Sequence, residues 1–151
     1  MINENYKVVP LMNKADVSTG ADCDSFNMSL YHKATVIFTF GTVDANATIT
    51  PKSGATSGAK TTDIPAKYAV GSATIGAPNS DVLGAWIDEE DDFTIATASN
   101  KFVVVEISGA AIKQGEPWVT ITVNASNDAG ACHAVAILEP RYKSGQSPSA
   151  L

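Results

Sequence analysis

The chain has 151 residues, 16 acidic and 10 basic side chains, a net charge of −6, 44% hydrophobic residues and two cysteines. That length suits one domain that buries about 70% of its unfolded surface, so its core needs neither a metal nor a disulfide framework. Scattered lysines and arginines offer no phosphate-neutralising patch, and no apolar run approaches the roughly 18 residues of a membrane span, so neither nucleic acid nor membrane is expected as a partner.

The opening MINENYKVVPLMNK lacks a cationic segment followed by a long apolar one, and the chain reads as made in the cytoplasm without a secretory leader. Residues 1–33 read as a polar N-terminal arm and loop-rich lead-in. They hold a short strand candidate from Tyr6 to Val9, Pro10 as its stop, and the loop ADVSTGADCDS.

Residues 34–138 carry a period-two pattern, the mark of strands with one buried face. Val36, Phe38 and Phe40 share a face in ATVIFTFG, as do Ala45, Ala47 and Ile49 in the next segment. Tyr68 with Val70, then Leu83, Ala85 and Ile87, then Phe93 with Ile95, continue the series. Val103, Val105 and Ile107 come next, followed by Val119, Ile121 and Val123. The last segment, Cys132 to Leu138, is apolar on both faces, which predicts a central position. About eight antiparallel strands at this spacing predict an all-β fold, a β-sandwich or jelly-roll-like barrel. Residues 139–151, EPRYKSGQSPSAL, show no core pattern and read as a polar C-terminal tail.

Three connections carry further information. TPKSGATSGAKTTDIPAKY is long and rich in small residues, and it bears Lys52, Lys60 and Lys67. It reads either as a mobile hairpin or as a contact surface, with room for a short extra strand around Ala59 to Ile64. SDVLGAWIDEEDD favours strand over helix, because Gly84 interrupts it and like charges recur at helical spacing. SGAAIKQGEPW is a turn, or at most one helical turn, closed by Gly115 and Pro117.

Chemistry-bearing residues do not converge. Cys132 and His133 are adjacent, so a strand sends them to opposite faces. With Cys23 and His32 they form no paired C-x-x-C or H-x-x-x-H unit, so no metal site and no cofactor are expected, and both thiols are expected free. The run Asp88 to Asp92 lacks the interleaved spacing of a calcium loop and reads as a solvated turn. The remaining carboxylates define no acid–base pair, no catalytic residue is assigned, and the chain reads as non-enzymatic. Trp118 follows Pro117 and lies opposite its strand's core triplet, and Trp86 lies opposite Leu83, Ala85 and Ile87. Each can face a second layer, a subunit or a sugar ring.

The phrases SFNMS at 25–29, TVIFTFG at 35–41, SGATSGAKTT at 53–62, LGAW at 83–86, NKFVVVEI at 100–107, GEPWVTI at 115–121 and AILEPRY at 136–142 resemble a group of short structural proteins of tailed bacteriophages. The resemblance covers most of the chain, and it is closest in kind to capsid decoration, or cement, proteins. It implies a place on the capsid exterior of the virion, the phage major capsid protein as partner, and no catalytic residues. A homo-oligomer, preferably a trimer, would suit threefold lattice sites. Tyr6, Val8, Trp118, Arg141 and Tyr142 are the expected interface residues, Arg and aromatic side chains being favoured anchors. Two other roles stay open: a carbohydrate-binding module using Trp86 or Trp118, and another virion component such as a tail-tube or head-fibre subunit.

Overall fold

A computed structural model describes residues 5–43, 46–125, 130–142 and 150–151. The described elements are twelve strands and one 3-10 turn at Gly109–Ala111. In chain order the strands are β1 (Lys7–Asp16), β2 (Ala21–Asp22), β3 (Phe26–Asn27), β4 (Tyr31–Phe40), β5 (Ala47–Gly54) and β6 (Thr62–Asp63). They continue with β7 (Ala66–Val70), β8 (Ile87–Glu89), β9 (Phe93–Ile95), β10 (Phe102–Ser108), β11 (Trp118–Asn124) and β12 (Ala131–Pro140). Pairing is antiparallel throughout and gives two sheets, as the sandwich expectation required.

The first sheet runs β1-β12-β4-β10-β7-β8. In the second, β11 and β5 form the centre; β2 and β3 line the outer side of β11, while β6 and β9 line that of β5. Alternation places Val36, Phe38 and Phe40 of β4 inward against Val119, Ile121 and Val123 of β11, all buried. Tyr68 of β7 and Phe93 of β9 stack across the two sheets, ring centroids 4.4 Å apart and planes 4° from parallel. Such a pair adds about 1 kcal/mol to its area burial.

Seven of the eight expected strands are present, and the eighth, expected over 83–87, meets β8 only at Ile87. Of the other four strands, β1 continues the Tyr6 to Val9 candidate, and β2, β3 and β6 are two residues each. The extra strand suspected within 59–64 is β6, which pairs Thr62 with Ser53 and Asp63 with Lys52. The long connection is therefore a hairpin with its own pairing, and its lysines bind carboxylates of the same chain. Lys52 meets Asp63 at 2.6 Å, Lys60 meets Asp22 at 2.9 Å, and Lys67 meets Asp88 at 3.0 Å. The apolar run of β12 is flanked on both sides, by β1 and β4, as its two-faced pattern predicted.

Three expectations are corrected. The lead-in is not an arm: β1 is a full edge strand of the first sheet, with Val9 and Leu11 in the core, and Cys23, Phe26, Met28 and Tyr31 are buried behind it. Pro10 does not stop this strand, because an edge strand has a side that needs no ladder hydrogen bond. Instead the register shifts on either side of Met12, and Lys14 takes φ 49°, the left-handed conformation typical of a bulge. Leu83, Ala85 and Ile87 are not a core triplet. Leu83 is half-buried, Ala85 is exposed, and Ile87 is 43% exposed, because the segment holds to the sheet only by an isolated bridge from Leu83 to Gly71 before the β7 ladder starts at Ile87, on the open edge. Finally, the tail is not wholly free of the body: Ala150 is 2% exposed and its carbonyl accepts the Asn27 N–H at 2.7 Å. Ala45 lies outside the described residues.

Candidate functional site: the outer face and edges of the first sheet

Sheet register lines up the outward residues of the six-stranded sheet in rows. One row runs Pro10, Val135, Ile37, Val104 and Ala69, from β1 across β12, β4 and β10 to β7. The next runs Val8, Ile137, Thr35, Glu106, Lys67 and Asp88. The first row is apolar throughout, and the second begins apolar and ends charged. Every described strand belongs to one of the two sheets, so no third layer of strands covers this face. Ile37, Val135 and Ile137 are half-buried by their neighbours, and the face closes at β7, where Ala69 is fully buried. Val104 is also buried, at 9% exposure, so the accessible part of the apolar row is Pro10, Val135 and Ile37, on β1, β12 and β4.

The charged end of the second row opens into a cleft of about 700 Å³ lined by His32, Lys33, Lys67, Asp88, Glu106 and Ser108 among others. Its charges are largely paired within the protein: Lys33 donates to Glu106 at 2.6 Å, and Lys67 meets Asp88 at 3.0 Å. The cleft holds a serine and a histidine, yet they do not form a nucleophile–base pair. His32 directs Nε2 at Glu139, 3.0 Å away, and Nδ1 at the Pro140 carbonyl, 3.3 Å away. Both ring nitrogens are thus directed at oxygens other than Ser108 Oγ. Ser108 Oγ instead accepts the Ala110 N–H and caps the 3-10 turn. Among the described residues no three His, Cys, Asp or Glu side chains group as metal ligands.

Both cysteines are free and buried. Burial pushes the Cys132 thiol up to about 12 and the Cys23 thiol higher still, so neither is a ready nucleophile. Cys132 faces inward and His133 outward, where its Nδ1 accepts the Lys14 N–H at 3.3 Å.

Four of the five expected interface residues fall at one corner of the first sheet. Val8 is 48% exposed on β1, and Tyr6, 39% exposed, immediately precedes that strand. Arg141 and Tyr142 follow the neighbouring β12, with Tyr142 79% exposed. Arg141 is fixed there, its N–H donating to the Leu30 carbonyl at 2.8 Å and its Nε to the Tyr31 carbonyl at 3.1 Å. Trp118 lies apart, half-buried on the second sheet where β11 pairs with Gly54 and Asn27. It faces outward, as its alternation implied.

The apolar outer rows escaped the sequence reading, although a signal was present. TVIF, FVVV and AVAI are continuous apolar runs rather than alternating ones, so β4 and β10, like β12, present apolar side chains to both faces. Ile75 and Val82, exposed in the β7–β8 connection, carried no periodic signal at all.

No protein-family model matches the chain, and no curated protein sequence is similar to it. Among solved structures, the SPBc2 prophage-derived protein YomS is similar, with TM-score 0.45 and 10% identity over 88% of this chain and 93% of its own. The N-terminal cellulose-binding domain of Cellulomonas fimi β-1,4-glucanase C is similar with TM-score 0.32 and 14% identity, over 93% of this chain and 81% of that one. A CBM4 structure gives TM-score 0.31 and 10% identity, over 90% of this chain and 71% of that one.

Proposed function

We propose that this protein is a non-enzymatic structural component of a bacteriophage particle that decorates the outside of the head. In this reading the outer face of the first sheet seats on the major capsid protein and stabilises its lattice. One observation carries it: the in-register apolar row of Pro10, Val135 and Ile37, accessible on the outer face with no third layer of strands above it among the described residues. The phrases that resemble phage structural proteins supply the partner. A decoration protein gains its hold from many identical copies on a symmetric shell, so each copy needs only a modest, rigid contact face.

Purified protein should bind bare mature heads saturably, and decorated heads should withstand more heat than bare ones. Ile37→Lys and Val135→Lys, both on the half-buried outer face, should lower occupancy while leaving the far-ultraviolet circular dichroism spectrum unchanged. Presence in the tail alone, or equal heat tolerance of bare and decorated heads, would sink the reading. A second reading, a carbohydrate-binding module, draws on the exposure of Trp86 two residues before Asp88 of the cleft. Retention on a polysaccharide matrix that disappears in Trp86→Ala would favour it over the first.

A further inference from the structure

The exposed large apolar side chains are not spread evenly. Among the described residues, Tyr6, Val8, Leu30 and Tyr142 lie at the corner where β1 starts, β12 ends and β4 begins. Ile75, Val82, Trp86 and Ile87 lie on β8 and the connection leading to it from β7. Sheet order puts β1 and β8 at opposite edges of the same six-stranded sheet, roughly 24 Å apart at about 4.8 Å per strand. Leu151 is the one remaining member of the exposed group among the described residues.

Charge divides the same way. The corner carries Lys7 and Arg141, and its carboxylate Glu139 is engaged by His32 at 3.0 Å. The opposite edge carries Asp81 and the run Asp88 to Asp92, where Asp88 meets Lys67 at 3.0 Å. We propose that copies of this chain associate head to tail, the cationic aromatic corner of one docking on the acidic apolar β7–β8 edge of the next. The two surfaces differ from each other and are complementary in charge, so the contact is heterologous, and its repetition builds a ring where the rotation closes and an open filament where it does not.

Side chains rather than strand ladders make this contact. Pro10 and the register shifts around Met12 interrupt β1 as a template, and β8 is three residues long with acidic side chains, the usual guards against edge pairing. Each patch is small, which puts the contact in the weak, concentration-dependent class. The proposal goes beyond capsid docking and concerns the isolated chain.

The test is sedimentation of the isolated protein over a wide concentration range, with no heads present, so that its failure leaves capsid binding unaffected. The wild-type mean mass should rise with concentration. Tyr142→Asp, which spoils the corner, and Trp86→Asp, which spoils the edge, should each stay monomeric with unchanged circular dichroism. An equimolar mixture of the two should form one-to-one dimers and nothing larger, since each variant keeps one intact surface. A monomeric wild type would overturn the proposal, as would one variant associating like wild type, or a mixture that forms no complex. Titration of Trp86 fluorescence by a polysaccharide in a chain that stays monomeric would also overturn it and assign the edge to glycan.

Discussion

At the scale of single residues, Glu116 is the one buried carboxylate among the described residues, 8% exposed just before β11. Its Oε1 accepts from Lys113 Nζ at 2.8 Å and its Oε2 from Ser53 Oγ at 3.0 Å. Hydrogen bonds from Lys113, and then from Thr62 and Ser53, hold its carboxyl below the ordinary value of 4.5. A carboxyl with a depressed folded-state pKa stabilises the fold above its unfolded pKa, and that contribution is lost as pH falls through the folded value. Glu116→Gln should therefore lower the melting temperature near neutrality, and the gap to wild type should shrink as pH drops below about 4.5. A gap that is constant over that range would remove Glu116 from the acid response. Nothing local in GEPWVTI signals this role. The partner Ser53 lies 63 residues away, and only the β5–β11 register, Val119 opposite Ser53, brings them together.

At the scale of elements, β1 separates what was legible from what was not. Tyr6 to Val9 reads as strand from its residues, whereas the continuation through Pro10 and Met12 to Asp16 does not. Proline stops a central strand, and a sequence cannot say in advance which strand will be an edge. The same ambiguity misled the reading of 83–87: its alternation is real, but at the rim of a sheet the nominal inner face is still wet. Because Val9 and Leu11 are buried, removing residues 2–12 should do more than release an arm. It should also uncover the flank of β12 and expose the core beneath it. Leu11→Ala alone should cost about 2–4 kcal/mol in urea denaturation, and the deletion should yield a chain with little cooperative transition. A deletion variant that melts like wild type would show that β1 contributes no stability.

At the scale of the whole molecule, the chain crosses between the sheets again and again. β1 joins the first sheet, β2 and β3 the second, β4 the first, β5 and β6 the second, and β7 and β8 the first. β9 then joins the second, β10 the first, β11 the second and β12 the first. No contiguous segment owns a sheet, and the last strand sits between two of the earliest, β1 and β4. Neither sheet can form its core face while the other is unmade, since each supplies half of one buried cluster. Alternation within strands was enough to find the two layers, but this interleaving was beyond it, because period two fixes a strand's faces and leaves its neighbours open. Unfolding should accordingly be a single transition despite the exposed β7–β8 connection. Trp118 reports on the second sheet and Trp86 on the edge of the first. Trp118→Phe and Trp86→Phe variants, each with one indole left, should give the same fluorescence midpoint as far-ultraviolet circular dichroism. If the variant retaining Trp86 unfolds at a lower denaturant concentration than its dichroism, the β7–β8 edge is a separate unit that opens before the sandwich.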